Sequence, residues 1–277
     1  ADCRMGLARA AWGFALMVAK PSFIENLRLV WALVRRGLNE ILRVPGASLP
    51  GVIAPTIFML GTYSVFGKIA SLPGFATSDY LDWILPVGFV QAAAFTGAAT
   101  GVNLARDIES GWFDRMLLAP APRWVVLAGL VCSAGIRVLM PSSLLIVIGM
   151  TAGLRWPGAT GLIISFVTAA LLAAVMAFWS CGLAMKFRSQ DAAPLMQSSG
   201  FMLMQLTAVY APIALLAPWL QTIARVNPFT YVLDAVRQSY IASISWQDTW
   251  PGIVAMIGML VASTWFAVWR IRKMNTA

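Results

Sequence analysis

The 277-residue chain contains no histidine, so a Ser-His-Asp triad, a histidine general base and imidazole metal ligation are all excluded. Cysteine is scarce too. Cys3, Cys132 and Cys181 stand far apart without a CxxC pair, and two of them lie inside apolar runs, so they read as small buried hydrophobes rather than disulfides or metal ligands. Charge is equally thin, at 11% of residues against about 25% in an ordinary soluble domain. In water, a chain that is 60% hydrophobic would have a largely apolar surface, a difficulty that a bilayer removes. A phosphate-cradling loop is also missing. Gly61 to Gly67-Lys68-Ile69 has five residues between its glycines where four are needed, and an isoleucine where a hydroxyl must ligate magnesium. This chain is not itself an ATPase.

What is present is long charge-free intervals. A helix crossing about 30 Å of hydrocarbon needs about 20 apolar residues, and without water to satisfy the backbone such runs must be helical. The fold expected is an all-α integral membrane domain over 44–277. Its six transmembrane helices are placed near 46–67, 83–105, 124–152, 159–185, 195–214 and 250–270. Pro212 and Pro218 cut the fifth interval short and leave a partly inserted, non-cytoplasmic segment. Asn227-Pro228 reads as the cap and first residue of a short helix before the last span, with Asp234 and Arg237 on its wet face. Arg137 is the one charge within a span and is assigned a structural or lipid-facing role.

Orientation follows from lysine and arginine. Clusters before the first span, in the second-to-third and fourth-to-fifth loops and in the tail fall on one side, against Lys68, Arg155, Arg225 and Arg237 on the other. Both termini are therefore expected in the cytoplasm. The same clustering, rather than a continuous basic face, argues against nucleic acid despite the net charge of +9. Trp83, Trp124, Trp156, Trp250 and Trp269 fall near span ends, where an indole suits the headgroup region.

Residues 1–21 are read as an N-terminal extension, because the apolar run 10–19 is too short to span. Residues 22–43 read as an amphipathic helix at the membrane interface. Ser22 and Glu25 have capping-box spacing, and Phe23, Leu27, Val30, Trp31, Val34, Leu38, Ile41 and Leu42 share a face. Arg28, Arg35, Arg36 and Arg43 point the other way, toward lipid phosphates, and Leu29 and Leu33 break the division.

The loop 104–123 is the most polar stretch between spans. A short helix there suits a protein partner, with Ile108, Trp112, Phe113 and Met116 seated in a groove and Asp107, Glu109, Asp114 and Arg115 at the rim. Gly111 lets the backbone turn, and Pro120 and Pro122 end the helix. Within the spans, Phe58, Tyr63, Gln91, Phe95, Gln205 and Tyr210 are candidates for a path taking amphipathic cargo, helix packing being the alternative for each. Gly97, Gly101, Gly161 and Gly182 suit close helix approach. An ion-coupled secondary transporter is the rival class, but none of the six spans contains Asp or Glu. An intramembrane hydrolase lacks paired carboxylates in the spans and a lysine placed to serve a serine.

The run Asp107-x-Glu109-x-Gly111-x-x-Asp114-Arg115, followed by Pro120-x-x-Arg123 and Gly129, resembles the loop signature of type-2 ABC exporter permeases, especially their daunorubicin-resistance branch. Arg43-x-Pro45, Pro55-x-x-Phe58, Pro218-Trp219-Leu220, Asn227-Pro228-x-Thr230-Tyr231 and Arg237 agree, so the likeness covers roughly 25–275. Val209-Tyr210-Ala211-Pro212 departs from it, since such permeases usually carry a Ser- or Gly-containing turn there.

The resemblance implies a permease subunit of the bacterial cytoplasmic membrane with no cofactor of its own. It would pair with a second permease copy or a homologous permease, and with an ABC nucleotide-binding subunit that holds ATP and Mg. Arg106, Asp107, Glu109, Gly111, Trp112, Asp114 and Arg115 would couple to that subunit, and Pro212, Pro218, Asn227, Pro228 and Arg237 would form an outer gate. Cargo would be a hydrophobic or amphiphilic drug, lipid or natural product, with lipid-linked polysaccharide as the alternative.

Overall fold

The computed structural model describes residues 22–43, 45–117, 122–241 and 244–273, and among them it is helix, turn and loop without a strand. The extension 1–21, Pro120 and the side chain of Arg43 lie outside the described residues. The helices are α1 (Phe23–Arg43), α2 (Pro45–Phe66), α3 (Tyr80–Glu109), α4 (Trp112–Leu117), α5 (Arg123–Arg137), α6 (Leu139–Thr151), α7 (Gly158–Phe187), α8 (Ala193–Gln205), α9 (Pro218–Val226), α10 (Pro228–Ile241) and α11 (Trp246–Lys273). The α1 N-terminus is closed by Glu25, whose Oε2 accepts from the Ser22 backbone N–H at 2.7 Å.

Five helical stretches among the described residues are long and apolar enough to cross a membrane: Gly51–Ser71, Tyr80–Glu109, Arg123–Thr151, Gly158–Phe187 and Trp246–Lys273. The third is α5 and α6 in continuation, broken at Val138. Pro141 has no N–H to offer the carbonyl of Arg137 four residues back, so the helix restarts there.

The interval expected to hold a crossing at 195–214 is different. Helix α8 stops at Gln205, and the chain then runs unwound to Pro212, makes a short 3-10 turn at Ile213–Leu215 and enters α9.

Helix α3 is the central element, buried along most of its length. It lies against α7 at a spacing that only glycine permits. A Cβ on Gly97 would sit 2.4 Å from Met176 Cβ, and one on Gly101 would sit 2.4 Å from Ser180 Cβ and 2.5 Å from the Ser180 carbonyl carbon. The close approach lets Ser180 Oγ donate to the Gly97 carbonyl at 2.7 Å across the interface. Gly161 and Gly182 play the same part against Ser239 and Phe266. Two main apolar clusters result. The larger fills the half of the bundle where α3 begins, and the smaller joins Leu33, Leu104, Phe113, Met185, Met196 and Ile271 at the opposite end, called the loop end below.

Candidate functional site

At the loop end, α3 continues past its apolar stretch and its last turn is held from both sides. Arg36 Nη2 on α1 contacts both carboxylate oxygens of Asp107, at 2.9 and 3.0 Å. The same guanidinium lies 3.8 Å from the ring centroid of Trp112. On the other flank, Glu109 accepts from the backbone N–H and the Nε2 of Gln190, at 2.7 and 2.5 Å, and Arg106 Nε reaches Gln190 Oε1 at 3.4 Å.

Gly111, at φ 69°, then turns the chain into α4, a left-handed conformation that favours glycine. Along α4, Phe113 is buried in the chain's own second cluster, with Ile108 and Met116 packed against it. Phe113, expected to enter a partner's groove, is therefore packed inside the chain itself, while Ile108 and Met116 are half-buried beside it. Asp114 and Arg115 are exposed, without hydrogen-bond or ion-pair partners among the described residues, and Trp112 is 38% exposed.

Helix α1 seats this arrangement by packing along α5. Leu33 and Val34 are buried with Gly37, and Leu33 Cδ1 lies 2.6 Å from where Gly129 would carry a Cβ. Leu33, an exception to the expected amphipathic division, is thus a central contact. Phe23, Leu27 and Trp31 of the expected apolar face remain exposed. One helix between two apolar surroundings carries two apolar stripes, which a single-face wheel merges. Arg28 and Arg35 are exposed beside them.

Between α1, α3 and α5 a cavity of about 30 Å³, room for about two water molecules, is lined by Arg36, Thr100, Asn103, Asp107, Ser133 and Arg137. Arg137 is buried and donates through Nη2 to Thr100 Oγ1.

At the opposite end, side chains capture the unwound segment that follows α8. A helix end buried in apolar surroundings leaves carbonyls that need donors. Asn227 Nδ2 donates to the Leu203 and Leu206 carbonyls at 2.7 and 3.3 Å, and its Oδ1 caps α10 by accepting from Phe229 N–H at 3.0 Å. Arg237 Nη2 donates to Ala208 O at 2.9 Å, Trp83 Nε1 to Val209 O at 3.0 Å and Tyr80 Oη to Tyr210 O at 3.0 Å.

Arg237 is not on a wet face, as the sequence suggested. It is 3% exposed, its guanidinium 3.6 Å from the Trp83 ring centroid, with Nη1 paired to Asp234 at 3.1 Å. Burial lowers its pKa to about 10, with Asp234 opposing the shift, so it stays cationic at neutral pH. Trp83 is likewise buried within the bundle, whereas Trp124, Trp156, Trp250 and Trp269 are exposed. Pro212 opens the 3-10 turn and Pro218 starts α9, as Pro228 starts α10.

Of the path candidates, the structure brings three together. The Phe58 and Tyr210 rings are 6.1 Å apart, and Gln205 Nε2 donates to Tyr210 Oη at 2.7 Å. Phe95 lies apart from them, against Phe201 at 6.4 Å. Gln91 is buried, and Tyr63 packs on the main core. Reading the sequence missed Tyr80 and Trp83 as anchors of the unwound segment. No local pattern announces a donor that serves a carbonyl more than a hundred residues away.

The chain matches a known family model, that of the ABC-2 type transporter, over residues 28–241, a range that holds the clamped polar loop and the captured, unwound segment. The chain belongs to the ABC-2 type transporter family. It is 25% identical over 227 residues to the putative transport permease ycf38 of Cyanophora paradoxa, covering 81% of this chain and 77% of that one. Against the daunorubicin resistance ABC transporter permease protein DrrB1 of Streptomyces coeruleorubidus, identity is 27% over 193 residues, 68% and 66% of the two chains. Against the probable multidrug ABC transporter permease YbhR of Escherichia coli strain K12 it is 24% over 206 residues, 71% and 54%.

The ABC-2 match ends at the last residue of α10 and so includes both the loop and the captured segment. This transport permease is a multi-pass membrane protein, and its polar groups are arranged to hold backbone and to pair helices.

Proposed function

We propose that this ABC-2 permease is the membrane-spanning subunit of an ATP-driven exporter that moves hydrophobic or amphiphilic molecules such as drugs, lipids or natural products. A separate nucleotide-binding subunit holds ATP and Mg, and this chain carries no cofactor. It works beside a second copy or a homologous permease, in the bacterial cytoplasmic membrane, with both termini and loop 104–123 in the cytoplasm. The names of the daunorubicin and multidrug relatives support that cargo class.

The sixth crossing is made by α8, 13 residues and so about 20 Å of rise, continued by the unwound segment. Pro212, Pro218, Asn227, Pro228 and Arg237 organise the outer gate, and Phe58, Gln205 and Tyr210 lie beside it on the path. On the inner side, α1 rests on the leaflet through Phe23, Leu27 and Trp31, with Arg28 and Arg35 near phosphates.

One observation supports the reading: the loop is clamped to α1 by Arg36 and to the turn at Gln190 by Glu109, while Asp114 and Arg115 are exposed and without partners among the described residues. A motor pushing on that charged tip moves α1 and the end of α3 together, because Asp107 and Trp112 share the Arg36 side chain. Asp114→Lys and Arg115→Glu each reverse a charge on an exposed turn and leave the core intact. In vesicles with the cognate ATPase, cargo export should fall at least tenfold, with the assembled complex and basal ATP hydrolysis retained. Wild-type export by both variants would refute the coupling role.

A further inference from the structure

The second span was expected to begin at residue 83 and so to lack an acid, but helix α3 begins at Tyr80 and carries Asp82 into the bundle. Asp82 is 1% exposed, and neither of its carboxylate oxygens has a hydrogen-bond partner among the described residues. It is the third residue of the helix, a position from which an acidic side chain ordinarily reaches back to the N–H of the cap. That N–H, of Asp79, already donates to Thr77 Oγ1 at 3.2 Å, and the Asp79 carboxylate accepts from Leu81 N–H at 2.9 Å. Asp82 is therefore not needed to close the helix.

The groups around it do not supply what an ionised carboxylate needs. Arg155, in the turn after α6, faces Asp82, but its Nη2 is directed to Ser78 Oγ at 3.4 Å. The Thr77 hydroxyl and the Arg155 backbone stand nearby, outside hydrogen-bond geometry, and Asp79 adds a like charge. On α10, Arg237 is engaged by Asp234 and the Trp83 ring, and Lys68, after α2, is exposed. Helices α2, α6 and α8 contain no charged residue, and the single one of α7, Lys186, lies at the far end. The hydroxyls of Tyr80, Tyr210 and Tyr240 are bonded to Tyr210 O, Gln205 and Ser165. A helix N-terminus favours an anion, but by far less than an enclosed charge without donors costs. The neutral acid avoids that cost.

We propose that Asp82 is a proton-binding site, and that its proton locks the start of α3 onto the unwound segment. Tyr80 and Trp83, on either side of it in the chain, hold the carbonyls of Tyr210 and Val209. Water reaches Asp82 only if this first turn moves, and moving the turn breaks both holds. In the closed form the carboxyl keeps its O–H. In the loosened form that bond breaks, the proton passes to water, and the charge stays on a hydrated carboxylate. The relation is reciprocal, so acid stabilises the lock and alkali releases it. The lock belongs to this chain alone, whatever the cargo or motor.

The test is infrared spectroscopy of the full chain in phosphatidylcholine vesicles, titrated upward from neutral pH. The carbonyl band of a protonated carboxylic acid should be present at pH 7 in the wild type, fade in alkali and be missing in Asp82→Asn. Hydrogen exchange at 207–211, run on both proteins at each pH, should coincide while the band is present. Once the band has faded, exchange should become at least threefold faster in the wild type. Arg155→Gln, a change at an exposed residue, removes the facing cation and should move the fading to higher pH. It tests the assignment even where Asp82→Asn fails to fold.

No such band at pH 7 in the wild type overturns the proposal without reference to any variant, since the carboxylate is then charged and satisfied by water. A band that both variants leave unchanged belongs to another acid, such as Asp234, and overturns it as well. Equal exchange in wild type and Asp82→Asn on both sides of the transition would show that the proton locks nothing, and sinks it too.

Discussion

The guanidinium of Arg237 lies over the indole of Trp83, 3.6 Å from its centroid, while its Nη2 donates to the carbonyl of Ala208. One side chain on α10 thereby ties the start of α3 to a stretch of unwound backbone. Arg237→Leu leaves the Ala208 carbonyl without that donor and Asp234 without its cation, and removes the cation from the ring. The expected loss is about 2–4 kcal/mol, read as a lowered thermal midpoint of the detergent-solubilised protein. A midpoint within a degree of wild type would mean the contact carries no stability.

Asn227 does two jobs that one substitution separates. In Asn227→Asp the carboxylate can still cap α10 at Phe229 N–H, but it can no longer donate to Leu203 and Leu206 and instead faces their carbonyl oxygens. A destabilisation of about 1–3 kcal/mol is expected despite the retained cap. Hydrogen exchange should locate the loosening at 203–210 rather than in α10. Protection lost in α10 alone would contradict this division.

Two glycines make a controlled comparison. Gly101→Ala puts a methyl group against the Ser180 backbone, so α3 and α7 must part, at a cost of about 1–3 kcal/mol. Gly61→Ala meets nothing within 4 Å and should be neutral or slightly stabilising through helix propensity. Thermal unfolding of the pair should separate them clearly, and equal midpoints would count against the tight α3–α7 contact.

The Arg36–Asp107 pair is partly exposed, with 42% and 14% of the two side chains accessible. Breaking it by Arg36→Gln should cost no more than about 1 kcal/mol of stability. Export in the presence of the ATPase should suffer far more, falling severalfold, and the exchange Arg36→Asp/Asp107→Arg should recover part of it. Export unaffected by either single change would remove the clamp from the mechanism.

Much of this architecture was readable from residue types because lipid permits few alternatives. Charge-free stretches of about 20 residues had to be helices. The Asn227-Pro228 pair announced a helix start through local chemistry. What stayed hidden depended on residues distant in the chain. Pro212 flagged a break somewhere in 192–224, but the helix ends at Gln205 because Asn227, Arg237, Trp83 and Tyr80 supply donors to the carbonyls around it. Hydropathy treats that backbone as satisfied only if helical. Arg237 and Phe113 were misjudged for a related reason. A charge or a ring in a polar neighbourhood of sequence looks exposed until the fold places Trp83 over it or seats it in an apolar cluster.

Helix α3 bears Tyr80 and Trp83 at one extremity and Asp107 and Glu109 at the other, and is encased by its neighbours between them. A rod of that length has its tips about 20 Å from the middle, where Gly97 rests on α7. Rocking it by about 5° around that fulcrum swings both tips by roughly 2 Å in opposite senses, more than a 3 Å hydrogen bond survives. Whatever grips one tip is therefore geared, with no intermediate part, to the grip on the other.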